Sequence, residues 1–478
     1  MTALDPAAVA LIVVLASPVL GALAPLALGE AASERAARVL SVITWAGAVA
    51  LLVLGARGEW FGTFGIDALS EVFLVLVASI YALSTWYSRD YIAAVHAPFL
   101  TARLYYALLS AFAFAMLFTL SVTDLGFMWI GVEGTTVASA LLIVLERKAS
   151  SVEAAWRYTL IASAGLSIAL FALLFLYRST GTLDAFALAA RPVPVSLPIA
   201  VAVALALVGY GTKIGLFPMH TWLPDAHSEA PSPISALFSG VLLPTAVYAF
   251  LRIYAIVALP VPPALSDLVI LFGLATAVVA ALLIQRQRSF KRLFAYSSME
   301  VMGLAMVGIG LGGIALYGAL LLLVAHAFAK AAAFYCSGNV LRTTGTTRTE
   351  EVRDLRHRLP LTAGTWVAAA TAVTGAPPFG TFVGEVLILA GAFATGAYWV
   401  GAVVVVAIAI AFLGVNHQIG RMVFGTGTGG PAAREPDPAR SLIAPWIGVA
   451  VAFALGITSI PYLAPTIQAA VRALGGVV

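Results

Sequence analysis

Stretches of about 20 largely apolar residues recur fourteen times along this chain. Each is long enough, at about 1.5 Å per residue, to cross a hydrocarbon core about 30 Å thick as a helix. They lie near 7–28, 37–55, 67–87, 103–121, 124–145, 156–177 and 197–219, then 233–256, 266–284, 292–313, 315–340, 361–393, 397–420 and 441–463. We number them spans 1–14. Composition agrees: 62% of the 478 residues are hydrophobic and 10% are charged, against about 25% charged in soluble domains. This excludes a water-soluble enzyme, a disordered chain and a nucleic-acid binder. The lone cysteine, Cys336, excludes disulfides, cysteine-held iron–sulfur clusters and cysteine zinc sites, and reads as a small buried hydrophobe. The fold class is an all-α polytopic membrane protein. The opening MTALDPAAVA lacks a basic segment, so span 1 reads as retained rather than as a signal peptide.

Loop charge sets the expected orientation. Arg57, Arg178, Arg191, Arg252 and Arg472 are assigned to one side, and Lys213 and Lys330 lie within spans. The remaining 19 of the 26 Lys and Arg residues fall on the other side. The positive-inside rule places that richer side in the cytoplasm and both termini outside it. The most charged loop, 342–358, is the best candidate for partner contact or a solvated loop that fixes topology. Residues 425–440 read as a flexible linker.

Charges inside a bilayer are costly and therefore point to function. Glu133, Lys213, Glu300, His326, Lys330 and Glu385 fall within spans. Acids, amines and an imidazole alternate through the interior, and burial and mutual proximity can move such groups' proton affinities by several pH units. The chemistry that fits is proton transfer. A buried Lys is charged beside a Glu and tends to neutrality when the Glu moves away. His326 and Lys330, four apart, share a helix face, and a neutral imidazole can relay protons. Bland readings stand beside these: a serine can satisfy Glu133, Lys213 can snorkel to the membrane edge, and Glu300 can pair with Lys291 or Arg292. His326 can be a hydrogen-bonded packing residue. Asp124 reads as a helix cap.

Prolines interrupt two spans. Span 7 runs into LFPMHTWLPDAHSEAPSPIS with Pro218, and span 12 contains GAPPFG with Pro377. Broken spans free backbone groups, which is tolerated only where protein or water satisfies them. His220, Asp225 and His227 follow the first break and, with Pro218 and Pro377, read as supporting or gating residues. Two breaks five spans apart suggest inverted repeats, as in many transporters. The expected organisation is 1–100 (spans 1–3), 101–260 (first repeat, spans 4–8), 261–424 (second repeat, spans 9–13) and 425–478 (linker and span 14).

KIGLFPMHTWLPDAHSEAPSPISALFSG resembles the broken helix 7 and following loop of the antiporter-like proton-translocating subunits. That family includes the M, L and N subunits of respiratory complex I, the A and D subunits of Mrp antiporters and membrane subunits of group 4 nickel–iron hydrogenases. The resemblance runs from about residue 100 to 425. It implies that Glu133 and Lys213 form the central translocation pair, that His326 and Lys330 form the helix 11 H-x-x-x-K, and that Glu385 is the terminal residue of broken helix 12. Many members carry a Lys on helix 8 where GVLLPTAVYAFLR has Pro244, so the usual relay between half-channels is absent or supplied elsewhere. YSSMEVMG, GAPPFGTFVGE and the length look most like the F subunit of hydrogenase-4.

The leading expectation is a proton-translocating membrane-arm subunit of a redox-driven complex in a prokaryotic inner membrane. It would do no redox chemistry of its own and bind no cofactor or metal. Its partners would be other membrane subunits and, through them, soluble redox subunits. The alternatives are a sodium/proton antiporter subunit, a non-pumping scaffold and a membrane partner in inorganic carbon uptake.

Overall fold

The computed structural model describes residues 5–94, 100–145, 148–191, 193–256, 262–426, 437, 439–458 and 460–475. All fourteen apolar stretches are helical. Spans 1–6 are Pro6–Ala27, Glu30–Leu54, Ala68–Ile92, Ala102–Ser121, Leu125–Ile143 and Ala149–Thr180. Spans 7–11 are Leu197–Glu229, Ser232–Tyr254, Pro263–Ile284, Phe290–Leu311 and Gly313–Thr344. Span 12 is split into Pro360–Val373 and Gly380–Ala394, and spans 13 and 14 are Tyr398–Phe424 and Ala439–Ile457.

The helices outrun the apolar stretches where polar turns project beyond the hydrocarbon. Span 2 starts at Glu30 and span 6 at Ala149, each about two turns early, because those turns carry charges such as Glu30, Glu34 and Glu153. Span 14 stops short, at Ile457. Pro461 cannot donate to a helix, and Tyr462 turns the chain with φ +64°. An amphipathic helix, Leu463–Ala473, then packs Ile467, Ala470 and Val471 inward. A two-stranded hairpin, Gly58–Trp60 against Phe64–Ile66, joins spans 2 and 3. Such short strands have too few residues for an alternating pattern to register in the sequence.

Spans 8 and 10 are enclosed along their whole apolar windows, whereas spans 1, 2, 6, 13 and 14 turn most of theirs outward. Close packing around this centre rests on small residues, as expected where helices associate without a hydrophobic driving force. A β-carbon on Gly209 of span 7 would lie 2.5 Å from the Ala169 nitrogen of span 6. Gly318 of span 11 and Gly384 of span 12 meet in the same backbone-to-backbone way.

Both expected breaks are present and are closed alike. Span 7 unwinds after Ile214 at Gly215 (φ +85°), passes the cis Phe217–Pro218 bond and resumes as Met219–Trp222 and Leu223–Glu229. The Trp222 indole donates to the freed Thr212 carbonyl (2.7 Å). Span 12 unwinds at Gly375 (φ +66°), passes the cis Pro377–Pro378 bond, and the Thr381 hydroxyl donates to the Ala372 carbonyl (2.5 Å). Span 8 widens into a π turn at Phe238–Leu242 just before Pro244. A proline inside a helix removes one ladder bond and crowds the preceding turn, and a π turn is one way to absorb that.

Residues 427–436 and 438 of the expected linker lie outside the described residues. Asp437 has a defined role: it accepts from the Leu361 and Thr362 amides (2.9 and 3.1 Å) and caps span 12. The charged loop 342–358 is tied down as well. The Thr349 amide donates to Arg288 O (2.9 Å), the Asp354 amide donates to Gly425 O (2.9 Å), and Val352 and Leu355 are buried.

Gly209→Leu should destabilise the protein by roughly 1–3 kcal/mol, the usual range for overpacking. Thermal unfolding in mild detergent measures it. An unchanged midpoint would show that spans 6 and 7 are not in backbone contact.

Candidate functional site

Span 5 begins where Asp124 caps the Gly126 and Phe127 amides (2.7 and 3.0 Å), as its position in the sequence suggested. Two turns on, Glu133 points toward span 6. Its Oε1 accepts from the Ser163 hydroxyl at 2.6 Å, and its buried Oε2 has no partner among the described residues. Lys213 stands on the last turn of span 7 before the break and is fully buried, so it does not snorkel. Its Nζ donates to Thr136 Oγ1 and Tyr158 Oη, both at 2.7 Å, and sits 4.6 Å from the centre of the Tyr158 ring. Ser139 completes the group at 2.9 Å from Tyr158 Oη.

Glu133 and Lys213 are thus within electrostatic reach but form no direct ion pair among the described residues. A shell of hydroxyls separates them. Thr136 lies one turn beyond Glu133 on the same face, and Ser163 and Tyr158 face both from span 6. Ser163 holds Glu133, and Thr136 and Tyr158 hold Lys213, so hydroxyls satisfy both groups. Ser163 is the serine partner that the sequence allowed for Glu133; Thr136 and Tyr158 were not anticipated, and their spacing on spans 5 and 6 was the available signal.

The second group sits on spans 10, 11 and 12. Glu300 is buried on span 10, within electrostatic reach of Lys330. It pairs with neither basic residue more than two turns back on its own span: Arg292 binds Asp225 at 2.7 Å, and Lys291 donates to the Ala230 carbonyl. Lys330 Nζ donates to the Phe294 carbonyl at 2.6 Å. His326, one turn before it, is fully buried, and both ring nitrogens lack hydrogen-bond partners among the described residues. Glu385 on the second half of span 12 presses its carboxylate against Gly375 in the break, where a side chain would collide with it. Glu385 and Glu300 are also electrostatically coupled.

His227 lies between the two groups. Its Nδ1 is bound to the Leu223 carbonyl (2.8 Å), and its Nε2 is buried without a partner among the described residues. The ring is packed among Trp222, Phe238 and Phe334 at centroid distances of 6.3, 5.6 and 6.1 Å. Trp222 in turn stacks on Tyr158 at 4.8 Å, and His227 is in electrostatic reach of Lys330 and His326. Tyr158, Trp222 and His227 therefore connect the Lys213 group to the Lys330 group across the region of Pro244. His220 is buried beside Phe217 with its Nδ1 unpartnered among the described residues. Asp225 plays a different part. It bridges Arg157 of span 6 (3.3 Å) and Arg292 of span 10 (2.7 Å) at the bundle edge, clasping three spans. Pro218 and Pro377 lie in the two breaks.

A further buried cluster was not anticipated. Arg252, counted from the sequence with the positive charges of the less basic side, is buried in the last turn of span 8. It grips Asp67 with two bonds of 2.5 and 2.6 Å and also donates to Ser70 (2.8 Å) and Tyr248 (2.9 Å). Beside it Glu71 of span 3 is fully buried, paired with Arg57 at 3.2 Å, with its Oε1 unpartnered among the described residues. The signal was Asp67-x-x-Ser70-Glu71 at the opening of span 3, easily taken for a polar helix end.

The family model for the transmembrane part of NADH:quinone oxidoreductases and Mrp antiporters matches residues 122–411. The chain belongs to this family. The matched segment contains every buried acid and base from Glu133 to Glu385. The hydrogenase-4 component F homolog of Methylacidiphilum infernorum is 35% identical over 347 residues, 69% of this chain and 73% of that one. NADH-quinone oxidoreductase subunit N of Desulforudis audaxviator is 31% identical over 393 residues, 77% of this chain and 76% of that one. A chain of the membrane-bound sulfane sulfur reductase, an archaeal respiratory membrane complex, has the same fold. Its TM-score is 0.87 with 23% identity, over 98% of both chains.

Tyr158→Phe removes one acceptor from Lys213 and should cost roughly 1.5–3 kcal/mol, the range for hydrogen bonds to charged groups. Tyr210→Phe, whose hydroxyl has no partner among the described residues, should change stability little. Chemical or thermal unfolding of both variants in detergent tests the contrast, and equal effects would dissolve the assigned Lys213 contact.

Proposed function

We propose that the chain moves protons within the membrane arm of a redox-driven complex of the hydrogenase-4 or complex I type. The reading rests most on one observation: beyond the half-buried Glu133, six buried acids and bases follow, Lys213, His227, His326, Lys330, Glu300 and Glu385. Buried ionisable groups are expensive to keep, and keeping several in mutual reach is the arrangement a proton relay needs.

Lys213 is the switching base of the first group. With Glu133 charged nearby, its ammonium is favoured; with Glu133 protonated, Lys213 tends to give up its proton. Thr136 and Tyr158 carry hydroxyls that both accept from the ammonium and can donate to the amine, so they hold Lys213 in either state. His227 takes the place of the helix 8 lysine that Pro244 displaces. Its Nδ1 bond to the Leu223 carbonyl fixes the ring, leaving Nε2 as the atom that exchanges. His326 then passes the proton to Lys330, and Glu300 and Glu385 form the terminal acceptors. Lys213 and Glu385 each act beside a break, where loosened backbone lets water approach. On this reading spans 4–8 and 9–13 are the two inverted repeats, one half-channel in each.

The host membrane is a prokaryotic inner membrane, with both termini outside the cytoplasm. Other membrane subunits flank the chain, and electrons flow in soluble redox subunits beyond them. The archaeal relative named above is itself described as part of a respiratory membrane complex.

Glu133→Gln and Lys213→Ala should leave the complex assembled and abolish coupled proton movement, and His227→Ala should reduce it at least tenfold. Assembled complex in proteoliposomes with a pH-sensitive dye measures this. Full pumping by the Glu133 and Lys213 variants would refute the relay, and sodium-dependent pH change without a redox reaction would favour an antiporter.

A further inference from the structure

A deep groove of about 830 Å³ separates spans 2 and 3 from span 14. Span 11 forms its floor through Val324 and Phe328, and Leu76 of span 3 and Ile447 of span 14 face each other across it. The walls are apolar along most of their length, but one end is not. There Trp86, Arg89, Asp90 and Arg440 form the mouth.

The charges at this mouth do not cancel. Arg38 pairs with Glu34 at 3.1 Å and lies over the Trp86 ring at 5.5 Å. Arg89 reaches Glu34 and Asp90 only at 4.0 Å. Arg342 donates to Ser441 (3.3 Å), which donates to Asp90 (3.4 Å). Arg440 makes no ion pair among the described residues. Four guanidinium groups thus stand around two carboxylates, Glu34 and Asp90, beside an apolar slot. From Leu76 to Arg89 the groove follows span 3 for about 20 Å at 1.5 Å per residue. That is the depth of a headgroup and one leaflet of a hydrocarbon core about 30 Å thick.

We propose that this groove binds one anionic phospholipid. Its phosphate is held between Arg89 and Arg440, and its acyl chains lie along span 3 against Val324 and Phe328. Guanidinium groups suit phosphate oxygens because they offer paired, planar donors, and basic pockets between spanning helices favour anionic headgroups. A zwitterionic lipid or an apolar helix from a neighbour would fill the slot without using the excess positive charge. The bound lipid joins span 14 to spans 2 and 3 and so supports the span 11 face opposite His326 and Lys330.

The test is native mass spectrometry of the full chain in mild detergent, titrated with phosphatidylglycerol or phosphatidylethanolamine. Wild type should prefer phosphatidylglycerol. Arg89→Gln with Arg440→Gln should weaken it by about 30-fold, from two arginine–headgroup contacts, while Arg178→Gln on span 6 should not. Ala82→Trp, which fills the slot and leaves the arginines in place, should displace both lipids. Equal affinity for the two lipids, or phosphatidylglycerol binding unchanged in the double variant, would overturn the headgroup site. Wild-type binding in Ala82→Trp would overturn the acyl slot.

Discussion

A charge in hydrocarbon is tolerated only when something replaces the water it has lost. Much of this bundle follows from that requirement. Lys213 is given the hydroxyls of Thr136 and Tyr158, Lys330 the Phe294 carbonyl, and Arg252 the carboxylate of Asp67 with two hydroxyls beside it. Spans 10 and 11, which carry Glu300, His326 and Lys330, are among the most enclosed. Among the buried atoms left without partners in the described residues, Glu133 Oε2, His227 Nε2 and both nitrogens of His326 lie along the proposed route. Buried polar atoms of that kind ask for an explanation, and transient protonation is one that unites them.

The breaks obey the same economy at the level of the backbone. Unwinding a spanning helix exposes carbonyls, and at each break a side chain donates to one of them: Trp222 to Thr212, Thr381 to Ala372. Trp222 also packs between Tyr158 and His227. The residue that repairs the helix end is thus one of those spanning the gap between the two groups. The π turn ahead of Pro244 belongs to the same region, and it leaves span 8 close against span 11 at Gly240 and Ala327.

Other charges hold the bundle together instead. Asp225 clasps spans 6, 7 and 10 at one edge, and Arg252 fastens span 8 to the start of span 3 at another. Both are held in ion pairs that tie helices together, a structural part distinct from the proposed relay.

The amino-acid sequence determined the number of spans, their order, the two breaks and the identity of the acids and bases inside, because hydrophobic length and intramembrane charge are local properties of a chain. The family was legible for the same reason, in one uninterrupted motif around the first break. Only the tertiary structure decided which groups meet. It gave Glu133 and Lys213 hydroxyl partners, set His227 in the middle, drew Glu300 toward Lys330 rather than Lys291, tied Arg252 to Asp67 and buried Glu71. Those outcomes depend on how helices far apart in the chain rotate and approach one another. That is settled by small-residue contacts such as Gly209 on Ala169, and no local pattern records it.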